Sequence, residues 1–532
     1  MRTGVVLCVA SSSSREANDA ESIRANLAKR GAVVLMLSED QIATEPNKVT
    51  GFIAYEDLGA VVVCSLGEFG STEFLRASIE EAGLGDLVVN YLSFGSPSAI
   101  EGSEKQVDLV TVNILANVAR LDHAHHIKDT VLRTVSGTSK ISRRSLLRSI
   151  PRMLRVESEI PIVLSNRCGN RSDTCHYCRD ACPVNALLQN GGTTTIDDRR
   201  CIECGACARD CPIGAIQPPT ISDAQIMAML NTLSTAELGA SKCALLMTCP
   251  IGSQRLLGED KNGMILEAGL VHTLVPCVAA IGSVHYLWSA SVGVGLITVC
   301  PDASCRKAPA TLPMHAHVDS CRRMLGATGQ EDNRFVEHLS LTEQDSILDA
   351  ILSTVELPTK RSTKLRGFYR RDATLDALRI LNVSAGETLP ADTPTPFFDM
   401  TVDAMKCTYC ELCRVNCPDQ AIEFADNEGA FALMFDPMAC GGCMICEKSC
   451  PENAIRVSRL QQPRFMLEGK KLPKAQDESV KCRGCGAPIG SARTIMALER
   501  KLAEQGLPDA LVEKVRFCVQ CKQRSLVPVE SK

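Results

Sequence analysis

The sequence predicts a multidomain chain that mixes α/β and α+β architecture. It has an N-terminal parallel-sheet domain, a central α/β domain, two small cysteine-rich domains and a cysteine-bearing tail. Three observations carry this. Apolar runs alternate with helical periodicity over residues 1–125 and again over 221–330, as parallel strands covered by helices do. One cysteine motif recurs four times, in two closely spaced pairs. The length, 532 residues, suits roughly three to five domains of ordinary size.

Residues 1–125 read as the first α/β domain. Val5–Val9, Val33–Leu37, Val61–Cys64 and Leu87–Leu92 are short Val/Leu-rich strands. Ile23–Lys29, Glu73–Ala82 and Leu109–Leu121 space their apolar residues as helices do. Residues 126–160 form a basic linker in which eight Lys and Arg between Lys128 and Arg155 face a single acid, Asp129. Such a run is a solvated face or a docking surface for an acidic partner. The first cysteine block occupies 161–220, the central α/β domain 221–330, a helical segment and Pro/Thr-rich linker 331–396, the second block 397–460, and the tail 461–532.

Composition narrows the function classes. With 45% apolar and 22% charged residues the chain is globular. A net charge of −5 gives no support for nucleic-acid binding. The short apolar run Gly4–Ala10 reads as a strand rather than an export signal. Ser142–Arg148 imitates a twin-arginine signal but lies mid-chain with no apolar segment behind it. Val284–Val299, the most apolar stretch, is interrupted by His285 and several Ser and Gly, so no membrane span is expected. The expected compartment is the cytoplasm, where thiols stay reduced. Against that background the 28 cysteines point to metal or cluster ligation rather than disulfides.

Their spacing supports this. Cys407, Cys410, Cys413 and Cys417-Pro418 follow C-x2-C-x2-C-x3-C-P. Cys440, Cys443, Cys446 and Cys450-Pro451 repeat it, as do Cys201, Cys204, Cys207 and Cys211-Pro212. The fourth run, Cys168, Cys175, Cys178 and Cys182-Pro183, departs by an insertion between its first two cysteines. Three closely spaced thiolates wrap one cubane, and the proline-held fourth ligates the neighbouring one. Cross-ligation pairs Cys407, Cys410 and Cys413 with Cys450, and Cys440, Cys443 and Cys446 with Cys417. Equally, Cys201, Cys204 and Cys207 go with Cys182, and Cys168, Cys175 and Cys178 with Cys211. Structural zinc has no use for four such runs. Four [4Fe–4S] clusters are the expectation, and both blocks resemble bacterial-type dicluster ferredoxin domains, which implies one-electron transfer.

The central domain places Cys249 and Cys300 just beyond expected strands Leu245–Thr248 and Leu296–Val299, where open α/β sheets build their sites. The order Thr248-Cys249-Pro250, Val275-Pro276-Cys277 and Cys300-Pro301-Asp302-Ala303-Ser304-Cys305 resembles the delta subunit of methyl-viologen-reducing hydrogenase. That resemblance implies a [2Fe–2S] centre on Cys249, Cys277, Cys300 and Cys305, with Cys243 spare. It also implies traffic between a hydrogenase- or formate dehydrogenase-type donor and heterodisulfide reductase. The family's histidine near the last two cysteines is absent, and inert buried cysteine is the competing reading.

Residues 3–121 resemble the N-terminal region of the flavin-bearing subunit of heterodisulfide reductase through Gly4-Val5-Val6-Leu7-Cys8, Val61-Val62-Val63-Cys64-Ser65 and Phe74–Asp86. The family's Cys-x-Cys-Gly is replaced by Cys8-Val9-Ala10-Ser11, so its cluster is read as lost. Its flavin domain is missing too, since no G-x-G-x-x-G occurs. The tail knuckles Cys482/Cys485 and Cys518/Cys521, about thirty residues apart, suit tetrahedral zinc in a zinc-ribbon-like fold; a fifth cubane is the alternative. His123, His125, His126, His315 and His317 are not read as ligands. No catalytic carboxylate pair, nucleophile elbow or Walker loop stands out. Together these expectations describe an iron–sulfur electron-transfer subunit of a heterodisulfide-reductase-like complex. It would work between a hydrogenase-type, formate dehydrogenase-type or ferredoxin donor and a flavoprotein or other catalytic partner. A reductase whose central domain itself binds substrate is the alternative.

Overall fold

The computed structural model describes residues 2–9, 14–45, 47–66, 72–84, 89–94, 103–124, 159–168, 174–235, 244–257, 270–300, 305–326, 335–338, 370–383, 394–427, 429–460, 462 and 467–526. The basic segment Lys128–Arg155, His125, His126, Cys243 and most of the expected 331–396 segment lie outside the described residues. Two compact units emerge. The first comprises 1–168, 177–189 and 194–383, and the second 169–176, 190–193 and 384–532.

In the first unit, the Val-rich runs form a parallel sheet of β1 (Thr3–Val9), β2 (Val33–Ser38), β3 (Ala60–Leu66) and β4 (Val89–Phe94), in the order β2-β1-β3-β4. β1 and β3 are buried along their whole length, as a sheet covered on both faces requires. Val89–Phe94 falls on the expected fourth strand, with Val89 in register with Val61; Leu87 and Val88 lie outside the described residues. Helix Ser103–Asp122 packs on this sheet and also against helix Asp223–Thr235. Arg120 seals that junction, donating from Nε to the Thr220 carbonyl at 3.0 Å.

The first cysteine block is built from short elements: β5 (Ile162–Val163), β6 (Leu187–Asn190), β7 (Thr193–Ile196) and β8 (Ile216–Gln217), with β5 and β8 antiparallel. A second parallel sheet follows, made of β9 (Ala244–Thr248), β10 (Leu270–Leu274), β11 (Gly295–Val299) and β12 (Phe335–His338), in the order β10-β9-β11-β12. β12 departs from the helical segment and linker expected over 331–396. Phe335 and Val336 pair in register with Leu296 and Ile297, and the open sheet edge captures this β-favouring run. Helix Arg370–Ile380 does form in that segment and packs on the fully buried helix Ser283–Val292.

In the second unit β13 (Phe398–Val402) pairs antiparallel with β16 (Ile455–Arg459). A four-stranded antiparallel sheet orders β14 (Ile422–Asn427), β15 (Ala430–Phe435), β17 (Leu472–Lys481) and β18 (Pro488–Ser491). The tail is therefore not an appendage. β17 continues the sheet of the second cysteine block, and helix Ala492–Glu504 packs back on β17 and β18. Among the described residues no helix is long and apolar enough to cross a membrane.

Candidate metal centres

The Cys-Pro-x-x-Ala repeat has one structural cause. Three residues after each proline-linked cysteine the chain turns left-handed, at Asn185, Gly214, Gln420 and Asn453. The next residue is a buried alanine whose N–H then points back at the cysteine sulfur. Ala186 donates to Cys182 Sγ and Ala215 to Cys211 Sγ at 3.2 Å; Ala421 donates to Cys417 Sγ and Ala454 to Cys450 Sγ at 3.3 Å. Donors aimed at sulfur stabilise thiolate and are a principal lever on cluster potential.

The C-x2-C turns repeat in the same way. Glu203, Tyr409 and Gly442 are left-handed just before the second cysteine, and Gly205, Glu411 and Met444 just after it. Non-glycine residues adopt that conformation only when their surroundings impose it. In the run with the insertion the third cysteine, Cys178, sits in the short helix Tyr177–Asp180, just as Cys207, Cys413 and Cys446 sit in short helices in theirs. Cys168 ends a short helix, and its thiol donates to Thr194 Oγ1 at 3.5 Å.

Cysteines distant in sequence come together. Cys407, Cys410, Cys413 and Cys450 line one small cavity. Burial pushes Cys413 up to about 12, and the charges of Cys407, Cys410 and Cys450 add to it. Burial also raises Cys446 strongly, reinforced by Cys440, Cys443 and Cys417. In the first block burial raises Cys201, Cys204 and Cys207, and Cys182 adds to all three. These groupings cross between runs as a dicluster requires. Crowded, desolvated sulfurs disfavour thiolate unless a multivalent cationic core compensates them, so the donor set fits an iron–sulfur core.

The first block is clamped by buried charge. Arg370 donates through Nη1 to the carbonyls of Ala208, Arg209 and Cys211 at 2.6–2.8 Å, and through Nε and Nη2 to Asp223 at 3.1 and 2.6 Å. His285 accepts from the Gly282 N–H at Nδ1, so Nε2 carries the proton it donates to Asp223 at 3.0 Å. Burial opposes the Asp223 carboxylate, yet Arg370 and His285 hold it far below the usual range. His317 repeats the arrangement, accepting from Ser283 N–H and donating to Asp210 at 2.8 Å. Both of its ring nitrogens are engaged in this way.

In the central domain Cys249, Cys277, Cys300 and Cys305 line one cavity of about 510 Å³ at the C-terminal edge of the sheet, with Glu159, Glu203 and Lys307. The N–H of Gly252 donates to Cys249 Sγ at 3.3 Å and that of Lys307 to Cys305 Sγ at 3.4 Å. Cys321 is fully buried and donates to the Ser283 carbonyl. Cys8 and Cys64 are fully buried strand residues. Leu7, not Cys8, is in register with Cys64, so the two thiols face opposite sides of the sheet and form no joint site.

The tail is the tightest group. Among the described residues, Cys482, Cys485, Cys518 and Cys521 form the one cluster of three or more His, Cys, Asp or Glu whose ligand atoms all lie within 4.8 Å of one another. Cys485 and Cys518 sulfurs are 3.7 Å apart. Zn–S bonds of about 2.3 Å in a tetrahedron imply an edge of about 3.8 Å, so the group fits one ion. The Cys518 N–H holds the Cys482 thiol down at about 6. Helix Ala492–Glu504 also reaches the second block: Thr494 Oγ1 donates to the Thr408 carbonyl at 2.7 Å, and Arg493 donates to that of Ala404.

Sequence reasoning missed Arg370, Lys307 and Thr494, since no spacing rule connects them to cysteines many residues away. The sequence repeats an alanine four residues after each proline-linked cysteine, at Ala186, Ala215, Ala421 and Ala454, and the structure supplies its role.

Residues 171–215 and 406–454 match the 4Fe-4S dicluster domain family. The chain is 51% identical over 39 residues to a ferredoxin of Methanocaldococcus jannaschii, covering 7% of this chain and 26% of that one. It is 32% identical over 76 residues to an iron-sulfur subunit of the Proteus vulgaris frd operon, covering 13% and 48%. With a tetrathionate reductase subunit of Archaeoglobus fulgidus it shares 47% over 53 residues, covering 10% and 23%. The chain thus spans between about a quarter and a half of these relatives. With the cross-paired thiols, the matches make residues 171–215 and 406–454 two dicluster 4Fe-4S domains.

Proposed function

We propose that the protein is a multi-cluster iron–sulfur electron-transfer subunit of a heterodisulfide-reductase-like redox complex. It relays single electrons between a hydrogenase-type, formate dehydrogenase-type or ferredoxin donor and a flavoprotein or other catalytic partner. The observation that carries this reading is the pair of dicluster matches on cysteines that the fold groups across runs. Bound clusters supply one-electron redox chemistry. The chain's own residues bury or half-bury every sulfur of the two blocks except Cys410, and aim backbone N–H groups at several of them.

The ligand sets in this reading are those of the sequence: Cys168, Cys175, Cys178 and Cys211; Cys201, Cys204, Cys207 and Cys182; Cys407, Cys410, Cys413 and Cys450; Cys440, Cys443, Cys446 and Cys417. A [2Fe–2S] centre on Cys249, Cys277, Cys300 and Cys305 is supported by their shared cavity. Zinc on the tail cysteines is supported by their short separations. Anaerobic quantification of iron, sulfide and zinc, with co-purification of native partners, tests the whole. About sixteen irons per chain fit four cubanes, and about eighteen fit them with the [2Fe–2S] centre. Little acid-labile sulfide in folded protein would end the reading.

The 510 Å³ cavity favours a second reading, a reductase that binds substrate in its central domain. Steady turnover of a small oxidant by the isolated chain, with reduced dye as donor, would select it over the relay.

A further inference from the structure

The geometry points to Lys307 as a positioning residue that ties the Cys201/Cys204/Cys207/Cys182 centre to the central cysteine cavity, making that junction the route for an electron leaving the first block. The inference rests on the relay reading and extends it by naming the contact through which the two sites communicate.

Three observations converge within the first unit. Lys307 Nζ donates to the Glu203 carbonyl, inside the Cys201–Cys204 turn, and to the Pro276 carbonyl, next to Cys277; both distances are 3.3 Å. The same residue's backbone N–H reaches Cys305 Sγ at 3.4 Å. One side chain therefore spans both sites.

The backbones also meet directly. A Cβ on Gly205, the residue after Cys204, would lie 2.6 Å from Ala280 Cβ in the 3-10 turn Val278–Ala280 that follows Cys277. Only glycine, left-handed here at φ +74°, permits that approach. Arg209 fastens the same junction, with Nη1 donating to the carbonyls of Ala279 and Ala310 at 3.1 and 2.8 Å. Finally, Glu203 itself lines the cavity that holds the four central cysteines, so the first block supplies part of its wall.

An ammonium fixed between two anionic centres lowers the cost of placing an electron on either. The step moves one electron. The centre on Cys201, Cys204, Cys207 and Cys182 is oxidised by one, and the centre in the cavity is reduced by one, or the reverse. No bond forms or breaks and no proton moves. The first electron comes from a low-potential one-electron donor, for which titanium(III) citrate stands in during the test.

The test uses the full chain, reconstituted anaerobically, in wild-type, K307Q, K307R and C277S forms. Iron and sulfide are counted, the reduced clusters are titrated by EPR, and spin–spin broadening is recorded. K307Q keeps a donor for the two carbonyls while removing the charge. In K307Q the reduced-to-oxidised ratio of the first-block signal at fixed potential should fall at least threefold with iron retained; K307R should restore it. C277S should lose iron from the cavity and the broadened component with it. A purely structural lysine would alter the unfolding midpoint and leave the ratio unchanged. Unchanged ratio and broadening in K307Q, or unchanged iron in C277S, overturns the inference while the relay stands. Wild-type protein without cluster iron fails the relay reading itself.

Discussion

The two dicluster domains share a motif and differ in their surroundings. In the first, Cys178, Cys204, Cys207 and Cys211 are buried, and the charges nearby are fully desolvated: Arg370 and Asp223 are 5% and 4% exposed. In the second only Cys413 and Cys443 are buried, Cys410 is exposed, and the neighbouring Arg414–Glu411 pair lies at the surface. The cysteine spacing builds the same cage twice. The host decides whether that cage is an interior station or a surface one. Burial, fixed charge and solvent access set cluster potential, so two copies of one motif need not have equal potentials.

Four measurements sharpen or break this contrast. The largest effect belongs to Arg370. R370M leaves Asp223 without its main counter-charge and frees three buried carbonyls, which should destabilise the first unit by about 3–5 kcal/mol. Denaturant unfolding monitored at the first-block clusters reads this directly, and R370M combined with D223N should recover part of the loss. A loss below about 1 kcal/mol would mean that the clamp is not stabilising.

Acid comes next. The folded Asp223 carboxyl titrates below its unfolded value of about 3.9, because Arg370 and His285 outweigh burial. Its contribution is complete above that value and is lost as pH falls through the folded one. Stability of the first unit should therefore decline below about pH 4, and D223N should flatten the decline. Identical slopes in the two proteins would remove Asp223 from the account.

Two smaller effects concern the second domain. A Cβ on Gly442 would lie 2.3 Å from the Phe398 ring, at φ +72°. G442A should cost about 1–3 kcal/mol, read as a lower unfolding midpoint and earlier iron loss from the Cys440 run. Wild-type behaviour would show that Phe398 yields freely. T494V removes the bond to the Thr408 carbonyl and should cost about 1 kcal/mol. Its readout is the EPR signal of the Cys407 centre. No change in either quantity would separate the tail helix from that centre.

Much of the site was legible because ligand spacing is local. Cys201, Cys204 and Cys207 lie on one turn, and the strands around Cys249 and Cys300 end where Val/Leu runs end. The strand at Phe335–His338 was not legible, since four residues become a strand only when an open sheet edge accepts them. The joining of β17 to β15 was hidden for a similar reason. Its register depends on the partner strand, which local patterning does not reveal.

Sequence alone, then, determined which sulfurs stand in each run and that α/β sheets flank the first block, because turn geometry and hydrophobic period act over a few residues. Only the folded chain decided that Arg370 reaches Cys211 across 159 positions and Lys307 reaches Glu203 across 104. Buried charge must find partners wherever packing places them, and no short-range rule encodes that.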